Sequence, residues 1–192
     1  FMKYFSLVLG IFLLSCTSNS PTEIHVKSRN KVINVYDKVV EIPMEEVLIS
    51  GFANICLQNE FLIIKDSRAP GKQIHLFDKN TFKHITSTTY IGQGPNEITN
   101  LLRIVPDGKQ RRFFAVDGGK RKLFSFDLDS LLVDSNYVFK TKYNLLEDYA
   151  GDFIYINDTL SIAQFLDIDS KTNRFEVYTG QWNMDSGKFT KG

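Results

Sequence analysis

One β-hairpin pattern recurs along this chain, and its spacing limits the folds that the chain can adopt. Each copy has an apolar strand, a polar turn and a second apolar strand, and the copies lie at residues 61–78, 113–127 and 160–178. Asp66 and Asp117 end the first strands of the two clearest copies and are 51 residues apart. A β-rich repeat of roughly 40–50 residues, with four strands per unit, is typical of propeller blades. A β-sandwich with similar hairpins is the alternative that this pattern leaves open.

The sequence therefore predicts an all-β fold of β-propeller blades. Six blades of about 50 residues need roughly 300 residues, whereas 176 follow Cys16 in a chain of 192. We expect about three four-stranded blades, half of a six-bladed propeller, over residues 31–192. The chain is then either an N-terminal fragment of a longer protein or a half-propeller that closes with another chain.

Half a propeller would leave the flanks of its first and last sheets bare. Such flanks carry the apolar side chains that a closed ring hides, and a patch of this kind promotes association. We therefore expect self-association through the open flanks, either into a six-bladed ring of two copies or into aggregates.

Further elements follow from local patterns. The β-branched runs at residues 32–36 and 39–42 predict two strands, and Pro43 ends the second. Helical periodicity is scarce, and the best candidate is a turn or two over residues 96–102, with Asn96 as its cap. Alternation in the second hairpin predicts four side chains that face neighbouring sheets: Phe114, Val116, Phe124 and Phe126.

The first sixteen residues carry a targeting signal. Lys3 precedes an apolar run at residues 5–14, which is shorter than the roughly 20 residues that span a bilayer and has the length of a signal-peptide core. Ser15 and Cys16 follow at once. The sequence LLSC at residues 13–16 resembles a bacterial lipobox, in which the cysteine is acylated and becomes the mature N-terminus. We predict a lipoprotein signal peptide over 1–15, lipidation of Cys16 and a tether over 16–30. An ordinary cleaved signal and a buried strand are the alternatives.

The charge is balanced. A net charge of +1 gives no reason to expect a polyanionic partner. Attachment to a membrane would then rest on the acyl chains of Cys16 rather than on electrostatics. The expected address is the bacterial cell envelope, and the absence of an acidic run after Cys16 favours the periplasmic side over surface exposure.

A glycine-rich loop supplies a resemblance to a known family. Residues 92–97 read GQGPNE, and they stand where the TolB-like six-bladed β-propeller lipoproteins of Gram-negative envelopes have a Gly-x-Gly-Pro-x-Glu loop. The stretch 40–129 resembles this family, because the hairpin strands after the loop match those of the next blade. The resemblance implies a fold and an address, and it implies no activity.

The chemistry of that loop can be interpreted from its residues alone. Gly92 and Gly94 permit a positive φ or a close backbone approach, and Pro95 fixes its own φ. Glu97 lies near enough to accept hydrogen bonds from loop amides. The loop is therefore either a blade-to-blade corner or a ligand-binding loop.

Candidate catalytic and metal residues are few. Cys56 lies in an apolar stretch and is interpreted as a core residue. The histidines, His25, His75 and His84, are too widely spaced in sequence for a local metal pair. The carboxylate pairs at residues 127–129 and 167–169 fail the EF-hand pattern and are interpreted as turn residues. We predict no catalytic residue, no metal and no cofactor.

Basic residues cluster at 109–112 and 120–122. Because the neighbouring aromatic residues fit strand alternation, we interpret the clusters as a solvated hairpin rim, and we expect no nucleic-acid site.

Two functions stay open. In the first, the chain is a lipid-anchored binding or interaction module that presents one face to a peptide, glycan or protein. In the second, it is a propeller hydrolase or lyase, whose active site at the channel mouth is completed by further blades. Balanced charge and the lack of a local catalytic motif favour the first, since function must be argued from a site rather than from the fold.

Overall fold

The computed structural model describes residues 33–192, apart from residues 45, 135, 146–148, 170–171 and 173. The predicted signal peptide, Cys16 and the tether over 16–30 lie outside the described residues. The chain divides into two units, Phe1–Glu41 and Ile42–Gly192. The described part of the first unit contains a single turn of 3-10 helix at Tyr36–Lys38.

Strands dominate the described part of the second unit, which forms three sheets. The first sheet contains β1 (Ala53–Gln58), β2 (Phe61–Asp66), β3 (Lys72–Asp78), β4 (His84–Ile91) and β5 (Glu97–Ile98). The second contains β6 (Leu101–Pro106), β7 (Arg112–Asp117), β8 (Lys122–Asp127) and β9 (Lys140–Asn144). The third contains β10 (Tyr149–Asn157), β11 (Leu160–Asp169), β12 (Arg174–Trp182) and β13 (Phe189–Lys191).

Each sheet follows chain order, and the predicted all-β blade architecture is confirmed. Neighbouring strands are antiparallel, except that β5 runs parallel to β4. The sheets begin at Ala53, Leu101 and Tyr149, so the repeat is 48 residues in both intervals (101 − 53 and 149 − 101). The hairpins recognised in the sequence are β2–β3, β7–β8 and β11–β12. Each blade is thus a short antiparallel meander that continues directly into the next blade.

The middle sheet is buried on both faces. Phe124 and Phe126 pack on the side of the first sheet, against a cluster that includes Ile63. Phe114 and Val116 pack on the opposite side, in the cluster of the third sheet. All four predicted core residues are buried, as expected, but they serve two different interfaces. A strand buried on both faces has a continuous apolar run instead of alternation, and this accounts for the sequence FFAV in β7.

The predicted helix at residues 96–102 is wrong. Residues 97–98 form β5, and β6 begins at Leu101. Ile98 is fully buried in the core between the first two sheets, while the amides of Thr99 and Asn100 bind a carboxylate of the next blade. Tertiary hydrogen bonds and burial therefore override the weak helical periodicity.

The strands predicted at residues 32–36 and 39–42 are also not formed in their described residues. Val39 and Val40 are 73% and 79% exposed and have no regular structure. β-Branched residues favour strands mainly through packing and pairing with a neighbouring strand. Without such a neighbour among the described residues, the local preference has no effect.

One short helix, α1 (Leu128–Val133), is present in the described part of the second unit. The sequence interpretation placed turn residues here and missed it. Asp127 caps the helix, since its carboxylate accepts the Ser130 amide at 2.8 Å, and Leu128 and Leu131 are buried.

Candidate functional site

The first strands of the three sheets lie side by side. β1, β6 and β10 each form one edge of their own sheet, and β6 contacts both β1 and β10. The sheets therefore meet at these strands, as the inner strands of propeller blades do around the channel. We call the surface of β1, β6 and β10 the first-strand face.

Large apolar side chains are exposed on this face. Ile55 and Leu57 of β1 are 65% and 62% exposed, and Ile154 of β10 is 68% exposed. Soluble proteins rarely expose large contiguous apolar patches, and such patches indicate an interaction surface.

A charged pair crosses the same face. The guanidinium of Arg103 on β6 lies 2.8 Å from the carboxylate of Asp152 on β10, and both side chains are about half exposed. An ion pair at this exposure contributes little stability. Its position among aliphatic residues suits the orientation of a polar ligand group instead.

Two pockets open on the first-strand face. The smaller, of about 310 Å³, lies between β1 and β6, and the larger, of about 500 Å³, extends from the end of β1 across β6 to β10. Arg103 and Ile104 line both of them. Volumes of this size match small-ligand sites.

Cys56 and Lys65 line the smaller pocket. Cys56 packs partly buried against the core, and burial raises the pKa of its thiol to about 11, so it is protonated at neutral pH. A protonated thiol is a poor nucleophile. Lys65 is 8% exposed, and its Nζ donates to the carbonyl of Leu102 at 2.7 Å. Burial lowers the pKa of Lys65, and the charge of Arg103 adds to this effect.

The GQGPNE loop connects the first two blades. The carboxylate of Glu97 accepts the amide of Gly94 at 2.8 Å, as the sequence predicted. A Cβ on Gly92 would overlap that carboxylate, and neither glycine has a left-handed φ. The glycines therefore provide space for Glu97 rather than an unusual backbone conformation. Lys120, from the β7–β8 turn, donates to the carbonyls of Gly94 and Glu97, both at 2.7 Å. These contacts favour the corner over the ligand loop.

The basic clusters are only partly a solvated rim: Lys109 and Arg121 are exposed, whereas Arg111 and Arg112 form specific contacts. Arg111 binds Glu60 and also Asp129, the latter at 2.8 Å. Arg112 is less exposed and binds Asp107 at 2.7 Å, as part of a network in which its guanidinium also contacts Asp158 and Tyr155. The arginines connect neighbouring blades because guanidinium groups bind several acceptors at once.

A further cluster joins two of the histidines that the sequence interpretation separated. Nδ1 of His75 and Nε2 of His84 lie 2.8 Å and 2.7 Å from the hydroxyl of Ser87, and Glu46 lies 3.6 Å from the other nitrogen of His84. The β3–β4 register, which places His75 opposite Ser87, was the signal that could have revealed it. The adjacent pocket is lined by His84 and Glu46 but not by Ser87, so the shared hydroxyl is not part of that pocket.

In the described part of the chain, no three His, Cys, Asp or Glu side chains converge as a metal site would require. Across the same residues, the helices found are too short or too polar to cross a membrane. The carboxylates predicted as turn residues at 167 and 169 belong to β11, and the structure does not describe their side chains.

No curated protein matches the chain. Among solved structures, the fold is similar to that of a Bacteroides fragilis protein described as a candidate exported protein, with a TM-score of 0.55 and 14% sequence identity. The similarity covers 77% of this chain and 38% of that protein. Because the sequence identity is low, the similarity concerns the fold alone. The model of a family described as 6-bladed beta-propeller matches residues 37–173. This chain therefore belongs to the 6-bladed beta-propeller family.

Proposed function

We propose that this chain is a lipid-anchored binding module of the cell envelope, and that its first-strand face binds an extended peptide. The observation that carries the proposal is the exposure of Ile55, Leu57 and Ile154 around the Arg103–Asp152 pair. Aliphatic side chains with one central ion pair suit the alternating apolar and polar side chains of an extended peptide.

The strand edges support a peptide rather than a glycan. β1, β6 and β10 each have one neighbour in their sheets, and the other edge of such a strand presents backbone N–H and C=O groups. A peptide can pair with these groups, while its side chains enter the two pockets. Sugars are usually held by flat aromatic surfaces, and the most exposed large residues on this face are aliphatic.

The second half of the proposal concerns the cellular location of the chain. The LLSC sequence at Cys16 and the similarity to a candidate exported protein support export, with the domain on the periplasmic side of the membrane. The resemblance of the GQGPNE loop to that of TolB-like lipoproteins also supports a location in the envelope. Metabolic labelling with a clickable palmitate tests the lipidation of Cys16. The label should be lost in Cys16→Ala, and equal labelling of the wild type and the variant would contradict lipidation at this residue.

The binding function is tested on arrays of extended peptides and of envelope glycans. We expect the full chain to select peptides, and Ile154→Asp to abolish their binding because a charge replaces an apolar contact. Val133→Asp is the matched control, since Val133 is 87% exposed and belongs to α1 rather than to a first strand. Selection of glycans alone, or equal loss in both variants, would contradict a peptide site on this face.

A further inference from the structure

The smaller pocket on the first-strand face has an unusual charge. Seven residues line it: Asn54, Ile55, Cys56, Lys65, Leu102, Arg103 and Ile104. Two of these are cations, and none is a carboxylate. We infer that this pocket binds an oxyanion group, and specifically a carboxylate of an acidic peptide. The inference rests on the proposed peptide-binding function, because it assigns the chemistry of one subsite on the same face.

Lys65 is the principal evidence. It belongs to β2, yet its ammonium reaches the Leu102 carbonyl of β6 in the next blade. An ammonium has three N–H donors, and Leu102 is the one hydrogen-bond acceptor that the described residues give it. Burying a cation is unfavourable unless it is paired with an opposite charge. A lysine that is 8% exposed beside a pocket can obtain that charge from a ligand.

Arg103 supplies the second cation. Its contact with Asp152 lies toward β10, whereas the smaller pocket lies toward β1. A guanidinium has five N–H donors, so the contact with Asp152 leaves donors for a second acceptor. An anion between Arg103 and Lys65 would accept charge-assisted hydrogen bonds from both and would relieve their mutual repulsion.

The rest of the pocket suits a small carboxylate. Asn54 offers an amide donor at one side, and the edge of β1 presents backbone N–H groups. Ile55 and Ile104 border the charged groups, so the carbon chain of a Glu side chain would contact aliphatic surface. The volume of about 310 Å³ fits one such side chain.

Cys56 provides a local readout, because it lines the same pocket and its rate of alkylation should report on occupancy. The experiment uses the full chain in detergent, N-ethylmaleimide at pH 7.5 with long reaction times, and three probes: N-acetyl-Leu-Glu-amide, its isostere N-acetyl-Leu-Gln-amide, and inorganic phosphate. A neutral pH is required because the pKa of Lys65 is lowered, and an alkaline pH would remove the charge of its ammonium. We expect the Glu peptide to slow alkylation of Cys56 at a concentration at least about tenfold lower than the Gln peptide, the ratio that one charged hydrogen bond produces. Protection by phosphate alone would overturn the carboxylate assignment, and equal protection by the Glu and Gln peptides would overturn the oxyanion site.

Variants assign the effect to the two cations. Lys65→Met and Arg103→Gln should each remove the preference for Glu over Gln, while Lys140→Met, at an exposed lysine of β9, should retain it. If Lys65→Met does not fold, Arg103→Gln decides the result, since that side chain is half exposed. Unchanged preference in Arg103→Gln and in a folded Lys65→Met would overturn the inference.

The outcomes also separate this inference from the proposed function. If Ile154→Asp abolishes binding of the array-selected peptides while the Glu preference is missing at Cys56, the peptide function stands and the oxyanion subsite is wrong. If the Glu preference is present while Ile154→Asp binds peptides normally, the subsite stands and the peptide function is wrong.

Discussion

The carboxylate of Asp117 accepts the backbone N–H of Thr99 at 2.9 Å, and so connects the end of β7 to the segment that enters the same blade. The same fully buried carboxylate accepts the amides of Asn100, Gly119 and Lys120. Asp66, 51 residues earlier, accepts the amide and hydroxyl of Ser50, both at 2.6 Å, and the amide of Arg68. The Asp residues that first revealed the repeat therefore have the same structural role in two successive blades.

Asp117→Asn should be strongly destabilising. An amide has one oxygen in place of two, and its NH₂ group would face backbone donors in a buried position. Charged hydrogen bonds contribute about 1.5–3 kcal/mol each, so we expect a loss of at least about 3 kcal/mol in the free energy of unfolding. Urea denaturation measures it. Asp129→Asn is the control, because that carboxylate is 66% exposed and binds Arg111 alone among the described residues; its cost should be below about 1 kcal/mol. Equal costs would contradict the role assigned to Asp117.

Phe126→Ala tests the interface between the first two blades. Phe126 is fully buried and stacks on Phe113 with ring centroids 4.7 Å apart. Removing the ring should cost about 3–5 kcal/mol. Val133→Ala, at an exposed position of α1, should change the free energy of unfolding by less than about 0.5 kcal/mol. A cost for Phe126→Ala as small as that of the control would show that the burial is assigned wrongly.

The glycine loop allows a double-mutant cycle. Gly92→Ala should displace the Glu97 carboxylate and break its bond to the Gly94 amide, at a cost of about 1 kcal/mol. Because Glu97→Ala already removes that bond, the two substitutions together should cost less than the sum of the single ones. Gly108→Ala, where a Cβ meets no atom within 4 Å, is the control. Strict additivity would show that Gly92 is small for another reason.

Stability should depend on pH through His75. Burial is the main factor that lowers the pKa of His75 in the folded protein from its ordinary value of about 6.5; nearby His84 adds to the effect, and Asp66 opposes it. As the pH decreases, His75 is therefore protonated in the unfolded chain at a higher pH than in the folded protein. The contribution of His75 to the free energy of unfolding is complete above about pH 6.5. It falls as the pH decreases from there toward the lower pKa of His75 in the folded state.

Urea midpoints measured between pH 7.5 and 5 test this prediction. The wild type should lose stability over this range, and His75→Asn, which retains a hydrogen-bonding group toward Ser87, should lose less. The aspartates whose pKa is lowered, such as Asp66 and Asp78, act below this range, since their ordinary pKa is about 3.8. A slope in His75→Asn equal to that of the wild type would assign the pH dependence to other groups.

The sequence predicted the repeated hairpins because apolar alternation and turn residues are local signals. It could not predict the path of residues 96–102, where the bonds from the Thr99 and Asn100 amides to Asp117 and the burial of Ile98 determine the backbone. These contacts join residues about 18 positions apart, and a local pattern does not contain them.

The candidate site was missed for a similar reason. Ile55, Arg103 and Ile154 occur on strands that are about 48 residues apart in the chain, and they become neighbours when three blades stack. Lys65 carries no sequence signal of its role, because nothing in the sequence shows that its ammonium reaches Leu102.

Carbene footprinting of the full chain, with and without the peptide that the array selects, tests the central claim most directly. We predict that the peptide protects Ile55, Leu57 and Ile154, and that labelling of Val133 on α1 stays the same. Protection at α1 or at the outer strand β4, with the first strands labelled as before, would contradict the assignment of the binding site to the first-strand face.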